Sequence, residues 1–158
     1  MSYDFNADDI FEMAEQLERN GGKFYRTAAE SVSDAANKKL LMGLAEMEDQ
    51  HVKTFQTMRA ELTEKEKELT VFDPQGESAL YLRALADTRV FFEKQIDVTS
   101  MKEILKSAIE AEKDAIVFYL GMKDAVPEGS GKDRLDKIIK EEMGHIQLLG
   151  KELVAQGR

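Results

Sequence analysis

Residues 41–55 read LMGLAEMEDQHVKTF, and an alternating spacing of three and four residues links Leu41, Leu44, Glu48, His51 and Phe55. This spacing places the five side chains on one face of an α-helix. Three of them are ordinary core residues, whereas Glu48 and His51 bring a carboxylate and an imidazole onto the same face. Because a carboxylate is costly to bury without a partner, this face must meet groups that neutralise it.

Three other predicted helices show the same interruption. Each has an apolar stripe with an acidic residue at its centre, and these residues are Glu18, Glu112 and Glu142, the last followed three positions later by His145. No lysine or arginine shares these stripes, so no ion pair with a basic side chain of the same stripe offsets the carboxylates. Four glutamates and both histidines of the chain are therefore predicted to face the core.

A constant shift of 94 residues relates the two halves of the chain, and it carries Glu18 onto Glu112, Glu48 onto Glu142 and His51 onto His145. Each glutamate also lies 15 residues from the centre of its hairpin turn, near Ser33 in one half and Pro127 in the other. The two glutamates of each hairpin are therefore level along its axis. This pattern indicates a duplicated helical hairpin, whose pseudo-twofold axis would gather all six side chains at one site.

The six side chains suit a pair of metal ions. Four carboxylates balance the charge of two divalent cations, and two neutral imidazoles add nitrogen ligands. Glutamates combined with a Glu-x-x-His motif are the ligand set of di-iron and di-manganese sites in helix bundles. We therefore predict two Fe ions, with Mn possible because the ligand set does not choose between them. The predicted ligands are Glu18, Glu48, His51, Glu112, Glu142 and His145.

The helical periodicity predicts an all-α fold, a ferritin-like four-helix bundle built from two pseudo-twofold-related hairpins. The hairpins span about residues 6–66 and 100–156, and a long crossover of about residues 67–99 joins them. Such a crossover is longer than an antiparallel hairpin requires and is typical of a connection along the length of a bundle. Within it, residues 77–93 are predicted to form a short extra helix, and residues 1–158 a single domain.

Composition excludes several classes of function. The chain of 158 residues has no cysteine, which excludes disulfides, thiolate metal sites and a cysteine nucleophile. Its net charge of −9 repels phosphate groups, so neither nucleic acid nor a membrane is an expected partner. Its longest apolar stretches fall far short of the roughly 18 residues of a membrane span. Residues 1–12 are acidic and show no secretory signal, so we expect a cytoplasmic protein.

The motifs resemble the rubrerythrin branch of the ferritin-like superfamily over essentially the whole chain. The resemblance rests on Glu18 with Phe24-Tyr25, Glu48-Asp49-Gln50-His51, Glu112 with Phe118-Tyr119, and Glu142-Met143-Gly144-His145. It implies a non-haem di-iron centre in which Glu48 and Glu142 bridge the metals. Glu18 and Glu112 would then be terminal ligands, and each histidine would bind one iron.

Two departures from that family matter. Rubrerythrins typically carry a further glutamate where this chain has Ala115, a difference that bears on the family's redox-linked iron movement. They also commonly carry a rubredoxin domain with a four-cysteine iron site, and this sequence contains no cysteine. Electrons would therefore come from a separate donor, such as a rubredoxin.

We expect an enzyme, a di-iron oxidoreductase of the peroxidase type that reduces hydrogen peroxide, or dioxygen, to water. The alternatives are a ferroxidase or iron-handling protein whose substrate is Fe²⁺, a di-manganese catalase, and a helical interaction module without metal. A homodimer is expected from the crossover aromatics and the resemblance. Gly21 and Ala115 lie one turn beyond Glu18 and Glu112, and these small residues would leave room for a small ligand.

Tyr25 and Tyr119 lie seven residues after Glu18 and Glu112 on the same stripes. They are either plain core aromatics or outer partners of the site that hydrogen-bond a ligand carboxylate and so support catalysis, and we expect the second. Four nearby acids lie off the main stripes and are expected to be solvated: Glu15, Glu46, Glu110 and Glu141.

Overall fold

The computed structural model describes residues 7–62, 80–82, 84, 98–125 and 131–157. Four long helices account for most of them: α1 Ala7–Ser31, α2 Ala35–Ala60, α3 Met101–Ala125 and α4 Lys132–Gln156. The described residues contain no β-strand, which confirms the predicted all-α bundle. Among these described helices, none combines the length and apolar character that crossing a membrane requires.

The helices begin where the sequence supplies caps. Asp34 caps α2, because its side chain accepts a hydrogen bond of 2.9 Å from the backbone N–H of Asn37. Ser100 does the same for α3, with its hydroxyl 3.2 Å from the backbone N of Glu103. Gly131 precedes α4 with φ of 102°, a left-handed conformation that favours glycine.

The bundle consists of two hairpins that repeat one another. α1 packs against α2 and α3 against α4, and α1 also contacts α3. The shift of 94 residues that relates the predicted ligands also carries the bounds of α1 onto those of α3. The turn between α1 and α2 is centred on Ser33, as predicted.

Two apolar clusters fill the ends of the bundle and leave a layer between them. One cluster lies where α1 and α4 begin and includes Phe11, Phe55, Met122 and Leu135. The other lies where α2 and α3 begin and includes Ala28, Leu41, Leu105 and Leu149. Along α1 the first cluster ends at Leu17 and the second starts at Phe24. The intervening layer is where Glu18 lies, and each of the other helices contributes its predicted ligands there.

Four described residues of the crossover lie within the predicted extra helix. Residues 80–82 and 84, within the predicted extra helix of residues 77–93, are helical. Leu82 is fully buried in the first apolar cluster, and the Tyr81 hydroxyl donates a hydrogen bond of 3.4 Å to the backbone carbonyl of Val117 on α3. The rest of that helix, the hairpin boundaries at residues 6 and 66, and the turn at Pro127 lie outside the described residues.

Candidate metal centre

The structure brings all six predicted ligands together in the middle of the bundle. Their exposed fractions run from 0% for Glu142 to 5% for Glu48. Their ligand atoms form two groups, and within each group the atoms all lie within 4.8 Å of one another. One group is Glu18, Glu48, His51 and Glu142, and the other is Glu48, Glu112, Glu142 and His145. The two groups share Glu48 and Glu142, so the geometry is that of two adjacent sites with two carboxylates in common.

Several of these atoms are buried without a hydrogen bond. Among the described residues, the buried oxygens and nitrogens without a partner include Glu18 Oε2, Glu48 Oε1, His51 Nδ1, His145 Nε2 and both oxygens of Glu142. His51 Nδ1 lies 2.8 Å from Glu142 Oε1 and 3.4 Å from Glu18 Oε2. Neither contact has the angles of a hydrogen bond. Oxygen and nitrogen atoms that lie this close together without hydrogen bonds are arranged as the ligands of a cation placed among them would be.

Without metal, protons have to neutralise this cluster. Burial raises the pKa of Glu48 and of Glu142 well above the usual range, and the neighbouring carboxylates raise both further. Burial alone would lower the pKa of His51, but the adjacent carboxylates of Glu142 and Glu18 raise it to about 11. Burial and the adjacent carboxylates oppose each other at His145 in the same way, and the carboxylates raise its pKa to about 9. Divalent cations would displace these protons on binding.

Because the folded cluster binds these protons more tightly than the unfolded chain does, the stability of the metal-free protein should depend on pH. A histidine whose pKa is raised by folding stabilises the fold fully below its ordinary pKa of 6.5, and here the effect is lost as pH rises through about 9 and about 11. The raised pKa values of Glu48 and Glu142 act in the same direction. Chelator-treated protein should therefore melt at a lower temperature at about pH 9 than at about pH 6.

The measurement is a series of thermal melts with and without Co²⁺. Stabilisation by Co²⁺ should grow over the same pH range, because fewer protons compete for the ligands. The pH dependence of the metal-free melts should shrink in Glu142→Gln, which lacks one of the titrating carboxyl groups. Melting temperatures of metal-free protein that rise with pH would contradict this account.

Tyr25 and Tyr119 join the two hairpins at the cluster. The Tyr25 hydroxyl on α1 donates a hydrogen bond of 2.6 Å to Glu112 on α3, and the Tyr119 hydroxyl on α3 donates one to Glu18 on α1. Burial and the nearby carboxylates raise the pKa of both phenols well above 10.0, so both keep the proton that they donate. The structure places these side chains as hydrogen-bond partners of candidate ligands rather than as plain core aromatics.

Two of the four acids that were expected to be solvated make other contacts. Glu15 is buried and lies 3.3 Å from Arg59 and 3.6 Å from Arg19. Arg59 in turn binds the Asp8 carboxylate through two N–H groups at 2.8 and 2.9 Å, so Glu15 belongs to a network of ion pairs between α1 and α2. Glu141 is 2.6 Å from Nε2 of His51, a contact that the stripe pattern did not indicate. The other two, Glu46 and Glu110, are exposed as expected.

Gly21 makes room for a ligand side chain and not for a small molecule. A Cβ atom at Gly21 would lie 2.9 Å from Oε2 of Glu48, which shows that the Glu48 carboxylate fills the space that the glycine leaves. Ala115, the equivalent position in the other hairpin, is buried in the first apolar cluster. The expectation of open space beside Gly21 is therefore wrong, because a ligand carboxylate fills it.

Gly21→Ala is expected to weaken metal binding. The new methyl group would push the Glu48 carboxylate out of its position, and we expect a loss of about tenfold in Co²⁺ affinity. Gly43→Ala is the matched control, since no described atom lies within 4 Å of its added Cβ. That control should gain about 0.5–1 kcal/mol of stability from replacing a helical glycine. Calorimetric titration with Co²⁺ makes the comparison, and equal affinities in the two variants would contradict the role given to Gly21.

Known proteins match this chain in sequence and in fold. A family model described as Rubrerythrin matches residues 9–153. A solved structure from Thermotoga maritima, described as a ferritin-like diiron-carboxylate protein, has 25% sequence identity and a TM-score of 0.70, with 97% of each chain covered. A search of curated proteins gives no match.

Proposed function

The chain belongs to the rubrerythrin family, and we propose that it is a di-iron oxidoreductase that reduces hydrogen peroxide, or dioxygen, to water. The observation that carries the proposal is the pair of overlapping ligand groups that share Glu48 and Glu142. The Thermotoga maritima protein of the same fold is described as a ferritin-like diiron-carboxylate protein, and this description supports iron as the metal.

Each candidate ligand has a place in this proposal. Glu48 and Glu142 would help to hold both irons, since both groups contain them. The remaining members assign Glu18 and His51 to one iron and Glu112 and His145 to the other. Two ferrous ions held by these residues would supply two electrons, which with one H₂O₂ and two protons would give two H₂O.

The protein's own side chains hold protons and exclude water. The hydroxyls of Tyr25 and Tyr119 carry protons on Oη beside the carboxylates of Glu112 and Glu18. These hydrogen bonds fix the orientation of both carboxylates, as outer partners of metal ligands do. The apolar clusters on either side of the layer keep bulk water away from the reacting groups.

The first experiment determines metal uptake and the oxidant. Protein purified without added metal is loaded anaerobically with Fe²⁺ and mixed in a stopped-flow spectrometer with peroxide or with oxygen. Two irons per chain that are oxidised much faster by peroxide than by oxygen would support the proposal. A preference for oxygen, with more than two irons taken up per chain, would favour a ferroxidase instead. No stoichiometric uptake of iron would overturn the site.

The oligomeric state and the electron donor are predictions from the sequence. We propose a homodimer that receives electrons from a separate protein such as a rubredoxin. Sizing the native protein separates this arrangement from a large hollow assembly, which iron storage would require. Peroxide-dependent oxidation of a reduced rubredoxin, followed by its absorbance, tests the donor.

A further inference from the structure

We propose that Glu141 is a positioning residue for the metal ligand His51, and that it makes the two metal positions of the centre unequal. This inference rests on the proposed function, because it assumes that the six-residue cluster holds two metal ions. It concerns a residue that belongs to neither group of candidate ligands.

The two nitrogens of His51 face different carboxylates. Nδ1 points to the cluster, where it lies 2.8 Å from Glu142, and Nε2 lies 2.6 Å from Oε2 of Glu141. A carboxylate on the far nitrogen fixes the tautomer and the ring orientation of a ligand histidine and makes the near nitrogen a stronger donor. Glu141 can do this from α4 while its own side chain remains 35% exposed, so it lies at the boundary between the site and solvent.

His145 has no such support. Its Nδ1 also faces the cluster, 3.2 Å from Glu112 and 3.3 Å from Glu48. Its Nε2 is buried and has no hydrogen-bond partner among the described residues. The two imidazoles are therefore held differently, although they occupy equivalent places in the two hairpins.

The repeat itself explains the difference. A shift of 94 residues relates the three ligands and the tyrosine of one hairpin to those of the other, but it relates Glu141 to Met47. Met47 is 40% exposed, close to the exposure of Glu141, and a thioether accepts hydrogen bonds only weakly. The different support of the two imidazoles thus arises at this pair of positions. It follows that the ion beside His51 binds first and more tightly than the ion beside His145.

Stepwise titration with Co²⁺ tests the assignment, since Co²⁺ binds nitrogen and oxygen ligands and its visible absorption reports their number. The wild-type protein should bind two ions in two distinguishable steps. Glu141→Gln should weaken the tighter step by about 10–100-fold and leave the other step unchanged. Glu110→Gln is the control, because Glu110 is exposed and pairs with Lys113 away from the cluster. Far-ultraviolet circular dichroism of the metal-free variants verifies that each is folded.

A second pair of variants tests the other half of the inference. Met47→Glu should provide the missing carboxylate and tighten the weaker step by about tenfold. Met42→Glu adds the same charge to α2 at an equally exposed methionine and should change neither step. A Met47→Glu protein that binds Co²⁺ like Met42→Glu would overturn the assignment of the inequality to this position.

The outcomes separate this inference from the proposed function. A wild-type protein that binds two Co²⁺ ions while Glu141→Gln behaves like Glu110→Gln would overturn the role of Glu141 alone. Equal weakening of both steps in Glu141→Gln would also overturn it, because the residue would then not act through His51. A wild-type protein that binds no Co²⁺ would overturn the dinuclear site and, with it, both proposals.

Discussion

Glu142→Gln is expected to bind at most one metal ion per chain and to lose iron-dependent peroxide reduction. Glu142 belongs to both ligand groups and has no exposed surface, so its replacement removes one shared donor from both metal positions. Substitution of a residue that only hydrogen-bonds a metal ligand typically lowers activity about 10–100-fold, and the loss of turnover here should be larger. Metal analysis after gel filtration and stopped-flow oxidation by peroxide measure the two effects.

The same variant should be no less stable than the wild type when both are free of metal. Burial disfavours the ionised form of Glu142, and a neutral amide of the same shape avoids this penalty. Loss of metal binding together with an unchanged or higher metal-free melting temperature would identify Glu142 as a ligand rather than a structural residue. Glu110→Gln is again the control, and a Glu142→Gln protein that still binds two ions would contradict the shared-ligand geometry.

Removal of metal is expected to lower the melting temperature of the wild-type protein by about 10–20 °C. One site stabilises the fold by about 2.7 kcal/mol when the free ion is at 100 times its dissociation constant, so two sites contribute about 5 kcal/mol. A chain of this size shifts its melting temperature by about 2–4 °C per kcal/mol. We expect stabilisation of this size because several buried oxygens and nitrogens of the cluster have no hydrogen bond, and bound cations would coordinate them.

The measurement is scanning calorimetry of the same preparation with a chelator and with excess Co²⁺. His51→Asn is a useful comparison, because it removes a donor from one ligand group and should lose about half of the stabilisation. Melting temperatures that a chelator does not change would contradict the metal centre and favour a helical interaction module without metal.

The sequence was sufficient to predict the bundle and the set of six candidate ligands, because both depend on which residues are buried. Apolar stripes at helical spacing predict the helices, and a carboxylate in such a stripe is costly enough to be noticed. Glu18, Glu48, Glu112 and Glu142 interrupt their stripes at matching heights, and the shift of 94 residues relates the halves. These constraints require no knowledge of side-chain conformation.

Contacts between distant helices could not be predicted in the same way. Glu15 is buried because Arg59, 44 residues away, reaches it, and the stripe of α1 contains no sign of that partner. The stripes place each tyrosine on the helix of one glutamate, whereas its hydroxyl reaches the glutamate of the other hairpin. Glu141 is half-exposed and next to a ligand, so by composition alone it resembles any solvated acid. Such contacts depend on helix packing distances that periodicity does not contain.

The crossed tyrosine contacts mean that neither hairpin contains a complete site. Tyr25 orients a carboxylate of the second hairpin, and Tyr119 orients one of the first. In these tyrosine–glutamate contacts each half presents the same donor and the same acceptor to the other, which is the property of an isologous interface between two identical subunits. The interior of this protein is therefore equivalent to a twofold dimer interface whose two partners are covalently joined. Because the partners are joined, one of them can carry Glu141 where the other carries Met47, an asymmetry that two identical subunits could not have.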